Sequence, residues 1–409
     1  MYLTYKVFTI FFAILPIKVS LKDCTSLHMR PIKDIGLFQA IDGKLKPVPF
    51  QIDERRKDGS YRMDWIFEGG EWIREKLEKG DLYLTPEDEL IFEETSLGKR
   101  HFFDEKISGC EIEIPEKGFV YLLTLPHPQS SEKVFIYDRE KRIFKSPFFS
   151  FGFTDETHTA VLNFMDTGGG DILDRFKMTL SFSFFFGKLK VVKTEDDMVA
   201  NITGYREGPL RGLLKQRFRM EILKGVATPW AERVTEIYKK AVIFPSDLFI
   251  PFGPGLLITD AELLVSLDFN KKMKGAFLWT EKFKRPVLID GKTSEREKNL
   301  NGSEFPRWVA LKTRFGTMVG IVRGDETLEK APLEKSFFYR DDENYESKNK
   351  EERGSIGELG WRIKGLEKLK RGRYRFDVII TKINEKSIDD VLSLYLREIS
   401  INIKDLKRR

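Results

Sequence analysis

The most unusual local stretch of the chain is Asp166-Thr167-Gly168-Gly169-Gly170-Asp171-Ile172-Leu173-Asp174-Arg175. Three glycines let the backbone take positive φ and approach a ligand or another strand closely. Asp166, Asp171 and Asp174 around them can hold a cation, polarise a hydroxyl, or supply one of the two carboxylates that glycosidic cleavage commonly needs about 5 to 10 Å apart. Phosphate-loop chemistry is excluded. The lysine and Ser/Thr that follow the glycines of a P-loop are missing, as is GxGxxG spacing, and a strand follows instead of a helix. The same residues also read as a tight loop braced by carboxylates, and both readings stand.

Two arginines, Arg206 and Arg211, flank Glu207-Gly208-Pro209-Leu210. Their planar forks can bind carboxylates or sugar acids, although such arginines also pair with acids of their own chain. Asp53 and Glu54 can form an acid/base or metal-binding pair, but neighbours on a strand point to opposite faces. Asp81, Asp88 and Glu89 sit in an acidic turn whose oxygens suit calcium. Their spacing matches no EF-hand, and capping of local amides is the structural alternative. His28, His101, His127 and His158 are scattered without metal-ligand spacing. No GxSxG elbow occurs, and neither cysteine has a nucleophile signature. No metal and no cofactor is expected.

The elements that must position these groups are strands. Residues 176–184 alternate Phe176, Met178, Leu180, Phe182 and Phe184 with Lys177, Thr179, Ser181 and Ser183, a period of two. Leu263, Val265, Leu267 and Phe269 repeat the pattern, as do Tyr374, Phe376 and Val378, and Ile399, Ile401 and Ile403. Thirty-four phenylalanines suit sheets in which rings pair across strands. Helical spacing is confined to residues 71–79 and 388–396. The expected fold is all-β, a multi-domain β-sandwich or one large super-sandwich with a few short helices. Breaks in the pattern divide the chain into an N-terminal leader (1–20), an N-terminal β domain (25–125), a central sandwich (132–325), and a charged loop with C-terminal strands that complete a sandwich (326–409).

Residues 1–6 are short and basic and residues 7–17 apolar, the profile of an export signal too short to span a bilayer, with a buried first strand as the alternative. The expected address is therefore periplasmic or extracellular, with no integral membrane span in the mature chain. Leu21-Lys22-Asp23-Cys24 departs from a lipoprotein box at Lys22 and Asp23. In an oxidising compartment Cys24 and Cys110 can form one disulfide, and two separate thiols are the alternative. Charge is high but balanced, 70 basic against 64 acidic residues, and the signs are interleaved, which argues against a nucleic-acid partner. Only four glutamines occur among many Lys, Arg and Glu, a bias typical of hot environments.

Several blocks together resemble a family of uncharacterised exported bacterial β-sandwich proteins with no assigned activity. They are Pro47-Val48-Pro49-Phe50-Gln51-Ile52-Asp53-Glu54, the segment from Asp88 to Phe92, Gly170 to Arg175, Glu207-Gly208-Pro209-Leu210-Arg211, Ile289-Asp290-Gly291 and Gly357-Glu358-Leu359-Gly360-Trp361. The first and fourth also resemble β-sandwich domains of polysaccharide-processing enzymes, without their acid, base and arginine set. The expectation is a non-catalytic cell-envelope protein that binds a glycan or another envelope protein through loops at the sandwich edges. The competing expectation is a carbohydrate-active enzyme, lyase or hydrolase-like, with a cleft near Asp166, Asp171 and Asp174 joined by His158 and Arg206.

Overall fold

A computed structural model describes residues 15–77, 82–103, 107–125, 133–147, 149–153, 159–160, 171–184, 187–223, 225–228, 230–250, 253–256, 258–345, 354–383 and 400–406. Asp81, His127, His158, Asp166, most of the apolar run 7–17 and the helix expected at 388–396 lie outside these residues.

The alternation at 176–184 becomes the strand Leu173–Phe184, which pairs antiparallel with Leu189–Thr194 and with Ile258–Phe269. Ile356–Lys364 and Glu334–Arg340 complete a five-stranded sheet. A larger antiparallel sheet faces it. Its central order is Gly316–Gly324, Gly372–Ile383, Ala241–Ile250, Ala231–Tyr238, Arg211–Leu223 and Met198–Arg206. One apolar cluster unites Phe269, Leu359 and Trp361 of the first sheet with Leu214, Val242 and Ile380 of the second. Another joins Leu180 and Phe182 to Ile222. A four-stranded sheet containing Ser150–Phe153 closes one side, where the Phe151 ring meets Phe244 edge-on at 5.5 Å.

A second, smaller sandwich is N-terminal. Ile17–Ser20, Glu89–Phe92 and Phe50–Asp53 form one sheet; Lys44–Pro47, Gly36–Ile41, Gly118–Leu123, Gly109–Ile114 and Asn402–Leu406 form the other. Val19, Phe50, Leu90, Ile112 and Leu122 lie in its core, beside a Cys24–Cys110 disulfide with Cα atoms 5.8 Å apart. Sequence-local units do not stay apart. The last described strand, Asn402–Leu406, pairs with Gly109–Ile114, and the early strands Trp65–Glu68 and Glu71–Arg74 join the edge of the large sheet.

The fold is all-β, with multiple antiparallel sheets and, among the described residues, two short α-helices, Glu295–Leu300 and Glu326–Glu329. The helix expected at 71–79 is a correction: Glu71–Arg74 is a strand. Gly69 and Gly70 both adopt positive φ, which turns the chain into a hairpin whose twist matches the sheet. Trp72 then packs its indole against Tyr205 and Tyr137 instead of presenting a helical stripe.

Candidate functional site

The two candidate arginines anchor the small sandwich to the outer face of the large sheet. Arg211 is fully buried, and its guanidinium donates from Nε and Nη2 to Asp53 Oδ2 at 2.9 and 2.5 Å. Nη2 also reaches Glu89 Oε2 at 3.1 Å, and Nη1 reaches Glu236 Oε2 at 3.1 Å. Arg206 Nε lies 2.9 Å from Asp53 Oδ1 and Nη1 lies 3.8 Å from Glu54 Oε2. Glu54 follows the end of the strand Phe50–Asp53, which frees it from strict alternation and lets one arginine reach both acids.

Gln51 completes this network. Its Oε1 accepts from the backbone of Leu210 and Arg211, and its Nε2 donates to Asp53 Oδ1. Gly208 is required there, because a Cβ would collide with the Gln51 side chain. Burial alone would raise the Glu236 carboxyl, but the charges of Arg211 and Lys18 and the Tyr238 hydroxyl hold it well below the usual range. The arginines thus bind carboxylates, and those carboxylates belong to this chain. Asp88 caps its own turn, accepting from Thr85 and Arg55 amides, while Glu89 takes Arg55, Tyr61 and Arg211.

Asp171 and Asp174 open the strand Leu173–Phe184 or lie in it, on the opposite sheet. Asp171 accepts the Leu173 amide at 3.2 Å, and its carbonyl takes Asn270 Nδ2 and Lys272 Nζ. Desolvation pushes its carboxyl up to about 6, opposed by the Leu173 amide and Lys272 and reinforced by Asp174. Asp171 therefore changes protonation close to neutral pH.

The polar face of the same strand is buried. Lys177 Nζ contacts Asp268 Oδ2 at 2.6 Å and Glu358 Oε2 at 3.6 Å, and Ser266 donates to Glu358 at 2.5 Å. Arg175 lies by Glu195 and Asp196. Paired charges make this burial tolerable. The structure does not bring Arg206 or Arg211 to these groups, because both arginines point away from them across the large sheet.

Between the two large sheets several inward side chains keep part of their surface exposed. Met178, Leu180, Leu263 and Val265 on one side and Ile202, Phe218, Arg233 and Phe244 on the other point inward by register, yet all remain only half-buried. Well-packed cores bury such side chains completely. Ile202 and Phe244 pack against the cluster around Trp361 and Leu180 against the one around Phe182, whereas Met178, Leu263, Val265, Phe218 and Arg233 belong to neither cluster.

One polar group lies among these side chains. Arg233 Nη2 donates to Gln216 Oε1 at 3.1 Å, and its guanidinium lies 5.3 Å from the Phe244 ring and 5.9 Å from Phe218. These residues carried no sequence motif. The available signals were the scarcity of glutamine and a strand, Ala231–Tyr238, polar on both faces.

The Cys24, Cys110 and Asp405 side chains also lie close together, but the two sulfurs are consumed by their bond to each other. No helix among the described residues is long and apolar enough to cross a membrane.

No protein-family model matches the chain, and no curated protein matches it. Among solved structures, a protein in glycosyl hydrolase family 38 from Enterococcus faecalis superposes on 98% of this chain and 46% of its own, with 8% identity and a TM-score of 0.50. An alpha-mannosidase from Enterococcus faecalis V583 covers 98% of this chain and 45% of its own, with 8% identity and a TM-score of 0.44. The chain spans less than half the length of these proteins. The first likeness is one of fold, and it agrees with the resemblance to β-sandwich domains of polysaccharide-processing enzymes.

Proposed function

We propose that the protein is an exported cell-envelope component that binds a glycan between its two large sheets without transforming it. The half-buried, inward rings of Phe218 and Phe244 beside the Arg233 guanidinium carry this reading. Ligand sites are concave and mainly apolar, with a few fixed polar groups. A pyranose offers C–H faces to such rings and hydroxyls to such donors. This site departs from the loops at the sandwich edges anticipated above. The similarity to a glycosyl hydrolase family 38 protein supports a carbohydrate link. The Cys24–Cys110 disulfide supports an oxidising address.

A glycan-array screen of the purified chain tests the reading, followed by titration of hits against Phe244→Ala. Saturable binding weakened about tenfold by the variant, about 1.4 kcal/mol, is expected. Absence of binding to any glycan refutes it. Intact mass tests leader removal; the pairing of Ile17–Ser20 with Glu89–Phe92 and the 3.1 Å contact of Lys18 with Glu236 support a mature chain that keeps Ile17.

A second reading, a carbohydrate-active enzyme, draws on the raised carboxyl of Asp171, which suits an acid working near neutral pH. Product release from a bound glycan that disappears in Asp171→Ala, with folding retained, would replace the first reading with this one.

A further inference from the structure

Arg233 differs from the other inward or buried arginines. Arg175, Arg206, Arg211 and Arg340 each contact a carboxylate. Among the described residues Arg233 has no carboxylate partner, and its hydrogen bond is to the neutral amide of Gln216. Its Nε is buried without a partner, and so is the hydroxyl of Thr235, two residues along the same strand face. The guanidinium is densely surrounded, while the residue as a whole keeps part of its surface open. A charge held only by the Gln216 amide and the faces of two phenylalanine rings, with no carboxylate, is costly in such a place.

We infer that Arg233 receives the carboxylate of an acidic sugar, a uronic acid residue of the bound glycan. A carboxylate matches the arginine fork and would accept from donors the protein leaves unused. Gln216 fixes the guanidinium from one side, which orients the remaining N–H groups before the ligand arrives. Phe218 and Phe244 beside it supply apolar surface for the sugar ring carrying that carboxylate. Desolvation without a counter-ion pushes the guanidinium down to about 10, which accords with a charge awaiting a partner.

The inference rests on the glycan-binding reading, and its test separates the two. Trigalacturonate, the neutral galactotriose and acetate are titrated calorimetrically into the full chain, into Arg233→Met and into Arg233→Lys, and each melting temperature is recorded. The expected result is binding of trigalacturonate by the native chain, weakened at least tenfold in both variants, with galactotriose bound weakly or not at all. Ligand-free Arg233→Met is expected to melt no lower than the native protein, because the variant removes an unpaired charge. If it fails to fold, Arg233→Lys keeps the charge and still tests the fork.

Equal affinity of the variants for trigalacturonate overturns the inference. So does a ligand-free Arg233→Met that folds but melts several degrees below the native chain, which would mark a structural arginine. Galactotriose binding as tight as that of the acid leaves the glycan reading intact and sinks this one. Binding of neither trimer sinks both, and an Arg233-dependent response to acetate alone shows an anion site without a sugar.

Discussion

Arg211 and Asp53 are 158 residues apart in sequence and meet through two hydrogen bonds, 2.5 and 2.9 Å long, in a place closed to solvent. This pair locks the N-terminal sandwich onto the outer face of the large sheet. Around it Glu89 and Glu236 turn toward the same guanidinium, so one cation serves three carboxylates.

Replacing Arg211 with Met removes the buried cation that the three carboxylates share and leaves Asp53 to Arg206, Glu89 to Arg55 and Glu236 to Lys18 alone. Loss of about 3–5 kcal/mol is expected in urea denaturation, the scale seen when one partner of a buried ion pair is removed. Arg211→Lys should also destabilise, since an ammonium cannot reproduce the fork. The Glu236 carboxyl is held below its unfolded value. Its contribution is therefore present above the ordinary carboxylate range and lost as pH falls through and below it, and this acid-side loss should shrink in Arg211→Met.

Asp171 has the opposite sign. Its folded carboxyl is raised from 3.8 to about 6, so the folded state holds the proton longer. Stability should fall as pH rises from about 4 to about 6 and stay lower above that. Asp171→Asn should flatten this region and raise stability at neutral pH by about 1 kcal/mol at most, after allowance for solvent screening. Thermal melts across pH 4 to 8 check both sign and size. A melt unchanged at every pH would remove the basis for treating Asp171 as a near-neutral titrating group.

Asp341 is also raised to about 6 by desolvation, yet its replacement should behave differently. Its Oδ2 accepts the Asp290 and Gly291 amides at 2.7 and 3.0 Å, and its Oδ1 accepts the Gly357 amide at 3.1 Å. Asn would aim an NH2 group at one of these donors. Asp341→Asn is expected to cost about 1–3 kcal/mol at pH 7, measured by denaturation, because a buried donor is left unsatisfied.

The Cys24–Cys110 bond spans 86 residues of chain. Cys24→Ser with Cys110→Ser should lower unfolding stability by about 4.6 kcal/mol on the chain-entropy account, with the native secondary structure retained by circular dichroism. A melting temperature indifferent to both the double variant and reductant would count against the bond.

The sequence by itself determined the class of fold. Alternation at residues 176–184, at Leu263 to Phe269 and at Tyr374 to Val378 reports which side chains share a face, since a strand has period two whatever it pairs with. Residues 71–79 misled because Trp72, Ile73 and Leu77 fit a helical stripe, and only the paired glycines marked the hairpin. The motif blocks were also visible, but their meaning was not: Pro47 to Glu54 and Glu207 to Arg211 proved to be two halves of one buried ion network. Which charges meet depends on pairing order and on which sheet covers which, and these are set by contacts between residues far apart in the chain. For the same reason Arg233 and Gln216 looked like ordinary strand residues. Only the tertiary structure placed them beside two phenylalanine rings on the inner face of the large sheet, with a charge that no carboxylate of the described residues neutralises.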